Sequence, residues 1–159
     1  MPDLTAIKIR LYPNKEQREQ LDRTFGCCRF LWNHMLAEHQ VKYNQYKMDG
    51  IKSKYKTEAE YKQEFPFLKE ADSKALQNVN WNLQEAFSRF FQNIKDRKAK
   101  KTKIYIGYPR FKSRHKAQNS YTTDMINNNI KIDFVQRTLQ LPKFKSPIKY
   151  SDPRVFNEK

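Results

Sequence analysis

Cysteine, glycine, acidic residues in the second half and long apolar runs are all scarce in this sequence. Its 159 residues include two cysteines, Cys27 and Cys28, and their adjacency rules out a disulfide framework. There is no CxxC and no HExxH. In FGCCRFLWNHM, Phe25 to Met35, a helical wheel puts Cys28 on an apolar stripe with Trp32, while Cys27 and His34 fall on the other side. Those two are two turns apart, about 10 Å along the axis, too far to share an ion whose ligands sit near 2 Å. Nothing marks either thiol as activated. Acids are thin where a nuclease would need them: the five after Lys95 are scattered, with no DxD or similar cluster to hold a catalytic metal. No window approaches a transmembrane span, and the N-terminus has no apolar core of signal-peptide length, so a cytosolic chain is expected. Glycine occurs three times.

Basic and aromatic residues are plentiful. Net charge is +15 and aromatics make up 14% of a chain whose mean hydropathy is −1.00. A chain this polar needs its rings as core anchors. From Lys95 to Lys159 there are 17 Lys or Arg against 5 Asp or Glu, a balance of +12, leaving +3 for the residues before it. Such asymmetry points to a polyanion partner, usually nucleic acid, or else to a basic surface that serves solubility.

The residue pattern orders the elements as strand, helices, strands. Leu4 to Tyr12 alternates, with Ile7, Ile9 and Leu11 on one side, and Pro13 ends it. Asn14 with Gln17 reads as a capping box for a helix from Lys15 to about Lys47, with Leu21, Phe25, Cys28, Trp32, Met35 and His39 on one face. Gly26 within it allows close helix approach or marks a kink. Thr57 with Glu60 caps a short helix that Pro66 stops. Asp72 or Ser73 caps a second long helix, to about Asp96, whose stripe is Leu76, Val79, Leu83, Phe87, Phe90 and Ile94. The two long helices are expected antiparallel, as a small bundle. After the basic run KDRKAKKTK the signals are for strands: Ile104 to Tyr108, Ser120 to Thr123, a hairpin of Asn129–Phe134 with Thr138–Leu141, and Ile148 to Tyr150. The lone first strand needs partners, and these are the candidates. The expected class is therefore α+β, a small β-barrel with a helical bundle inserted after its first strand.

Two constellations bear on function. In GYPRFKSRHK, the basic residues Arg110, Lys112, Arg114 and Lys116 alternate. In a strand they would form a comb on one face, matching the repeat of phosphates, or a charged guard on a sheet edge. On the second long helix, Lys74, Gln77, Asn78 and Trp81 cluster opposite the apolar stripe. Amides can read adenine edges, lysine can contact guanine or phosphate, and Trp81 either offers a stacking surface or packs on the barrel.

Taken together these motifs resemble a family. RLYPNKEQREQLDRTFGCCRFLWNHML resembles the N-terminal signature of the transposon-encoded TnpB (OrfB) proteins, also described as transposases. LKEADSKALQNVNWNLQEAFSRFF resembles the next block, and GYPRFKSRHKAQNSYTT with NNNIKI…LQLPK the third, in order across nearly the whole chain. The resemblance implies an RNA-guided DNA endonuclease family. Its plan is a wedge barrel split by a helical recognition domain, followed by a RuvC-like nuclease domain with a zinc ribbon.

On this sequence the wedge would comprise residues 1–13 and 98–150, the recognition domain residues 14–97, and residues 151–159 a tail toward the nuclease domain. The chain stops about where that domain would begin. The resemblance therefore implies no catalytic residue, metal or cofactor here, and no cleavage by this chain alone. It implies guide RNA and double-stranded DNA as partners, with the missing nuclease domain or a full-length copy as a further one, no membrane, and a prokaryotic cytoplasmic location at the nucleoid. Ser73, Lys74, Gln77 and Asn78 would approach the target-adjacent duplex, with Trp81 beside them, and Asn127 would face the same cleft. Lys98, Lys100, Lys101, Lys103, Arg110, Lys112, Arg114 and Lys116 would meet phosphates. The family is also described as carrying an N-terminal helix-turn-helix, whereas the periodicity gives two long helices. The alternatives are a remnant without independent function and a protein-binding modulator.

Overall fold

The computed structural model describes residues 6–116 and 118–151. Leu4 and Thr5 of the expected first strand, and the tail after Ser151, lie outside the described residues. The order is β1 (Arg10–Tyr12), α1 (Lys15–Asp49), α2 (Glu58–Glu64), a 3-10 turn (Pro66–Glu70), α3 (Ser73–Lys98), β2 (Lys131–Asp133), β3 (Thr138–Gln140) and β4 (Ile148–Ser151). The class is α+β. Residues up to Asp22 with those from Asp124 onward form one compact unit, which holds the sheet. Arg23–Thr123 form the other, which is helical.

The helix starts follow from local chemistry. Asn14 and Gln17 exchange side chain–backbone hydrogen bonds, each 2.9 Å, closing the capping box. The Gln17 amide then donates to the Ser146 carbonyl and hydroxyl and to the Pro147 carbonyl, so the first turn of α1 is tied to the loop before β4. Thr57 and Glu60 form the second box, and Asp72 caps α3 by accepting from the Lys74 backbone. Gly50 ends α1 at a φ of +73°, a conformation that disfavours a side chain. Gly26 does not serve a close helix approach. Outside its chain neighbours and its own helix backbone, no atom lies within 4 Å of where its Cβ would stand, and the helical span of α1 continues through it.

The helical unit carries the core. Leu31, Leu36, Leu68, Leu76 and Leu83 are all 0% exposed. Cys28, Trp32 and Met35 lie in it, as the stripe requires. Cys27 lies there too, contrary to the wheel, because the buried arc of α1 is wide enough to take both cysteines. Its thiol points at the Phe67 carbonyl, 3.7 Å away. Burial raises the pKa of both thiols, that of Cys28 to about 12, so both are inert protonated groups.

The direction of the long helices also differs from expectation. Cys28 and Trp32 border the same hollow as Ala75 and Val79, while His39 stacks on Phe87 at 4.6 Å, so α1 and α3 run the same way. The link between them makes the return: Tyr61 of α2 donates to Glu38 at 2.6 Å, and Phe67 comes back beside Cys27.

The sheet is antiparallel in the order β1-β4-β3-β2, with Leu11 opposite Tyr150 and Ile132 opposite Leu139. The hairpin and β4 stand where the sequence puts them. The barrel does not form: among the described residues the sheet is open, with β1 and β2 at its edges. The reason lies in two segments read as strands, Ile104–Tyr108 and Ser120–Thr123, which join no ladder. Helix amides take their backbone instead. Asn93 donates to the Ile104 carbonyl and accepts from the Ile106 N–H, both at 2.9 Å, and Asn78 donates to the Thr122 carbonyl. A side-chain amide can satisfy one N–H and one C=O as a neighbouring strand would.

Candidate nucleic-acid interface

At the start of α3, Asp72 fixes the helix entry and accepts a hydrogen bond from the Thr123 hydroxyl. The Ser73 hydroxyl accepts from the Lys62 ammonium at 3.3 Å. One and two turns on, the side chains form a connected group. The Lys74 ammonium donates to Gln77 Oε1 at 2.7 Å and lies 5.6 Å from the centre of the Trp81 ring, which is 52% exposed. A cation held over an open indole presents a charge and a flat surface together. Asn78 is turned to the protein, donating to the carbonyls of Lys74 and Thr122. Beside it is a polar hollow of about 100 Å³ bordered by Arg29, Asn82, Lys112 and Asn119, three of which the sequence did not single out.

The basic run sits at the other end of α3. The Lys101 N–H bonds the Asp96 carbonyl at 2.8 Å and the Lys100 N–H bonds that of Arg97, with Lys100 at a φ of 55°. These bonds close the last turn, and the cations lie where the helix dipole is negative. Lys98, Lys100 and Lys103 border one surface hollow with Arg97, whose guanidinium lies over Tyr105 at 5.2 Å. Lys74 and Lys98 are 24 residues apart on one helix, about 36 Å by its rise.

The expected comb is not there, because its strand is not. Residues 110–113 join no ladder and no helix, and Arg114–Lys116 form a turn. Asn33 holds the Lys112 backbone on both sides, at 2.9 and 2.8 Å, and the Trp32 indole donates to the Arg110 carbonyl at 2.9 Å. The Lys112 ammonium lies 4.0 Å from the Trp32 ring centre, and burial lowers its pKa while Cys28 pulls the other way. Sequence spacing could not show this, since the partner is 80 residues away. By residue, Arg110, Lys112, Arg114 and Lys116 are all exposed. Asn127 belongs to the sheet unit, in a turn where it and Asn128 have φ of 51° and 60°, closed by the Asn129 N–H on the Ile126 carbonyl. Among the described residues, no group of three or more His, Cys, Asp or Glu could hold a metal ion.

Comparison with known proteins bears on what this surface belongs to. A family model described as a helix-turn-helix domain, that of the OrfB proteins, matches residues 1–48. A protein of Streptomyces pristinaespiralis named "Putative RNA-guided DNA endonuclease" is 37% identical over 118 residues, which are 72% of this chain and 27% of that protein. The chain belongs to the TnpB/OrfB family. The Escherichia coli protein named "Putative RNA-guided DNA endonuclease InsQ" is 30% identical over 90% of this chain and 33% of its own length. The chain thus spans about a quarter to a third of the length of these two relatives. Virulence protein VsdF of Salmonella dublin is 29% identical over 70% of the chain, a match that fills 95% of VsdF. Within the OrfB-matched region the described residues hold β1 and most of one unbroken helix, so the second helix of a helix-turn-helix is not found there. No helix of the described residues is long and apolar enough to cross a membrane.

Proposed function

We propose that this chain is a nucleic-acid-binding module, the wedge and recognition portion of a TnpB-like RNA-guided DNA endonuclease. On this reading the sheet belongs to the wedge and the helices to the recognition domain. The module binds guide RNA and the target-adjacent duplex and supplies no catalytic group. The observation that carries the duplex contact is the group at the start of α3, where Lys74, Gln77 and the open Trp81 ring are held together. Gln77 suits a base edge, Lys74 a guanine or phosphate, and Trp81 a stacked base or sugar. On the family reading Ser73 also contacts the target-adjacent duplex, and so does Asn127. The cations at the end of α3, with Arg110, Arg114 and Lys116, take phosphates. Lys112 and Asn78 act by fixing their segments.

Replacing Lys74 and Gln77 by alanine tests the readout. The expected outcome is a changed ranking among duplex sequences, with mean affinity changed less. An equal loss for every sequence would remove the readout role and leave phosphate contact alone. A second reading, a protein-binding module, is favoured by the apolar side chains exposed around β2. Ile132, Phe134 and Val135 are 49%, 64% and 93% exposed. That VsdF is almost filled by its match supports a role for this region on its own.

A further inference from the structure

We propose that the aromatic cleft of the helical unit is a stacking pocket for an unpaired nucleobase. The proposal rests on the nucleic-acid reading above and assigns a second contact, separate from the start of α3. The cleft has a volume of about 530 Å³, room for a base with its sugar. Its walls come from four segments: Tyr43 of α1, Tyr55 of the linker, Phe87 and Phe91 of α3, and Tyr108 of the extended segment. His39 forms the floor, stacked between Tyr55 at 3.9 Å and Phe87 at 4.6 Å. Tyr108 meets Phe87 edge-on at 5.3 Å. The inner rings are thus fixed by one another, while Tyr43, Tyr55 and Phe91 remain 43%, 41% and 44% exposed. Rings gathered around a concavity and left open are suited to a flat guest.

Two further features point to a nucleobase over an aliphatic or peptide guest. The first is the polar wall. Asn80 accepts from Gln84 at 2.9 Å, a bond that uses one acceptor and one donor of the pair. The amide nitrogen of Asn80 and the carbonyl of Gln84 can then meet the mixed donor and acceptor edge of a base. The second is the charge around the mouth. The Lys47 ammonium lies over Tyr43 at 4.5 Å and that of Lys42 over Tyr55 at 5.2 Å, and Lys56 lines the opening. Lys42 is paired with Glu38, which also lines the cleft, at 2.6 Å, and Lys56 with Glu64 at 2.5 Å. An anionic backbone entering with its base would meet Lys47 and compete with these two carboxylates for the other cations. Gln84 stands two turns beyond Gln77 on α3, so one strand can reach both sites.

The test compares binding of a short oligouridine with that of an abasic ribose–phosphate oligomer of equal length, which keeps the phosphates and lacks the bases. The intact chain is expected to bind oligouridine roughly tenfold more tightly, within the range of one stacked base. Y43A/F91A is expected to abolish most of that difference while leaving the salt dependence of binding unchanged. Y43L/F91L keeps apolar volume without rings and should do the same, whereas W81A should retain the preference. Equal binding of both oligomers by the intact chain would overturn the pocket, as would an undiminished preference in both ring variants. Failure of the intact chain to bind either oligomer would overturn the pocket and the nucleic-acid reading together.

Discussion

In the helical unit five leucines are fully buried and a continuous core runs from Cys27 to Phe87. In the sheet unit Ile148 is 0% exposed and Phe144 and Tyr150 are 8% exposed, while Ile132, Phe134 and Val135 face solvent. The backbone is handled differently as well. Strand ladders bond the sheet, whereas the irregular segments of the helical unit hang on side-chain amides of Asn33, Asn78 and Asn93. The helical unit can therefore hold its irregular segments in place with its own core, and those segments carry much of the candidate interface. The sheet unit is built from pairing of short strands, with less apolar burial to support it.

The contrast breaks most easily at the cores. Leu76→Ala removes a side chain that is 0% exposed and should cost about 2–5 kcal/mol, read from the urea midpoint. Val135→Ala, 93% exposed, should stay within about 0.5 kcal/mol. Similar losses at both positions would mean that the sheet unit buries this residue in solution.

A smaller effect tests the amide clamps. Asn93 is 7% exposed, but Ile104 and Ile106 are 70% and 38% exposed, so water can partly replace what Asn93→Ala removes, at a cost of about 0.5–1.5 kcal/mol. The Ile106 amide should also exchange with solvent faster, while the Leu139 amide in β3 should not change. Unaltered exchange at Ile106 would show that the clamp is dispensable.

The smallest effect concerns pH. Burial lowers the His39 pKa; Glu38 opposes this and Lys42 adds to it. The folded protein therefore binds this proton less readily than the unfolded chain does. The stabilisation is present above the ordinary histidine pKa, near 6.5, and is lost as pH falls below it. Glu38 contributes in the same direction at lower pH. Burial would raise its pKa, but hydrogen bonds from Lys42 and Tyr61 outweigh that and hold it down. His39→Phe should flatten the stability profile between pH 7 and 5. A profile as steep as that of the unaltered chain would assign the slope to other groups.

Local chemistry was legible before the structure. Asn14 with Gln17, Thr57 with Glu60, and Asp72 or Ser73 each announced a helix start, because a cap depends on neighbours two or three residues apart. The Lys74, Gln77 and Trp81 group was legible for the same reason, through helical spacing. Most of the misreadings are long-range. Ile104 and Ile106 carry strand-forming side chains, yet their backbone goes to an asparagine eleven to thirteen residues earlier. Lys112 alternates with other cations in sequence, yet its ammonium sits over Trp32. Cys27 fell outside a stripe drawn too narrow. The parallel course of α1 and α3 depends on the return path through α2, which no periodicity encodes. The aromatic cleft draws rings from four separate segments, so spacing could not assemble it.

The central claim is that this chain binds nucleic acid largely through phosphates. The most direct test is to measure its affinity for single-stranded RNA and for a DNA duplex across a salt series. Log K is expected to fall linearly with log salt, with a slope of several units on both ligands. Neutralising Lys98, Lys100, Lys101 and Lys103 should make that slope shallower by up to about one unit for each phosphate that no longer meets a cation. Binding that is absent, or that does not change with salt, would contradict the claim.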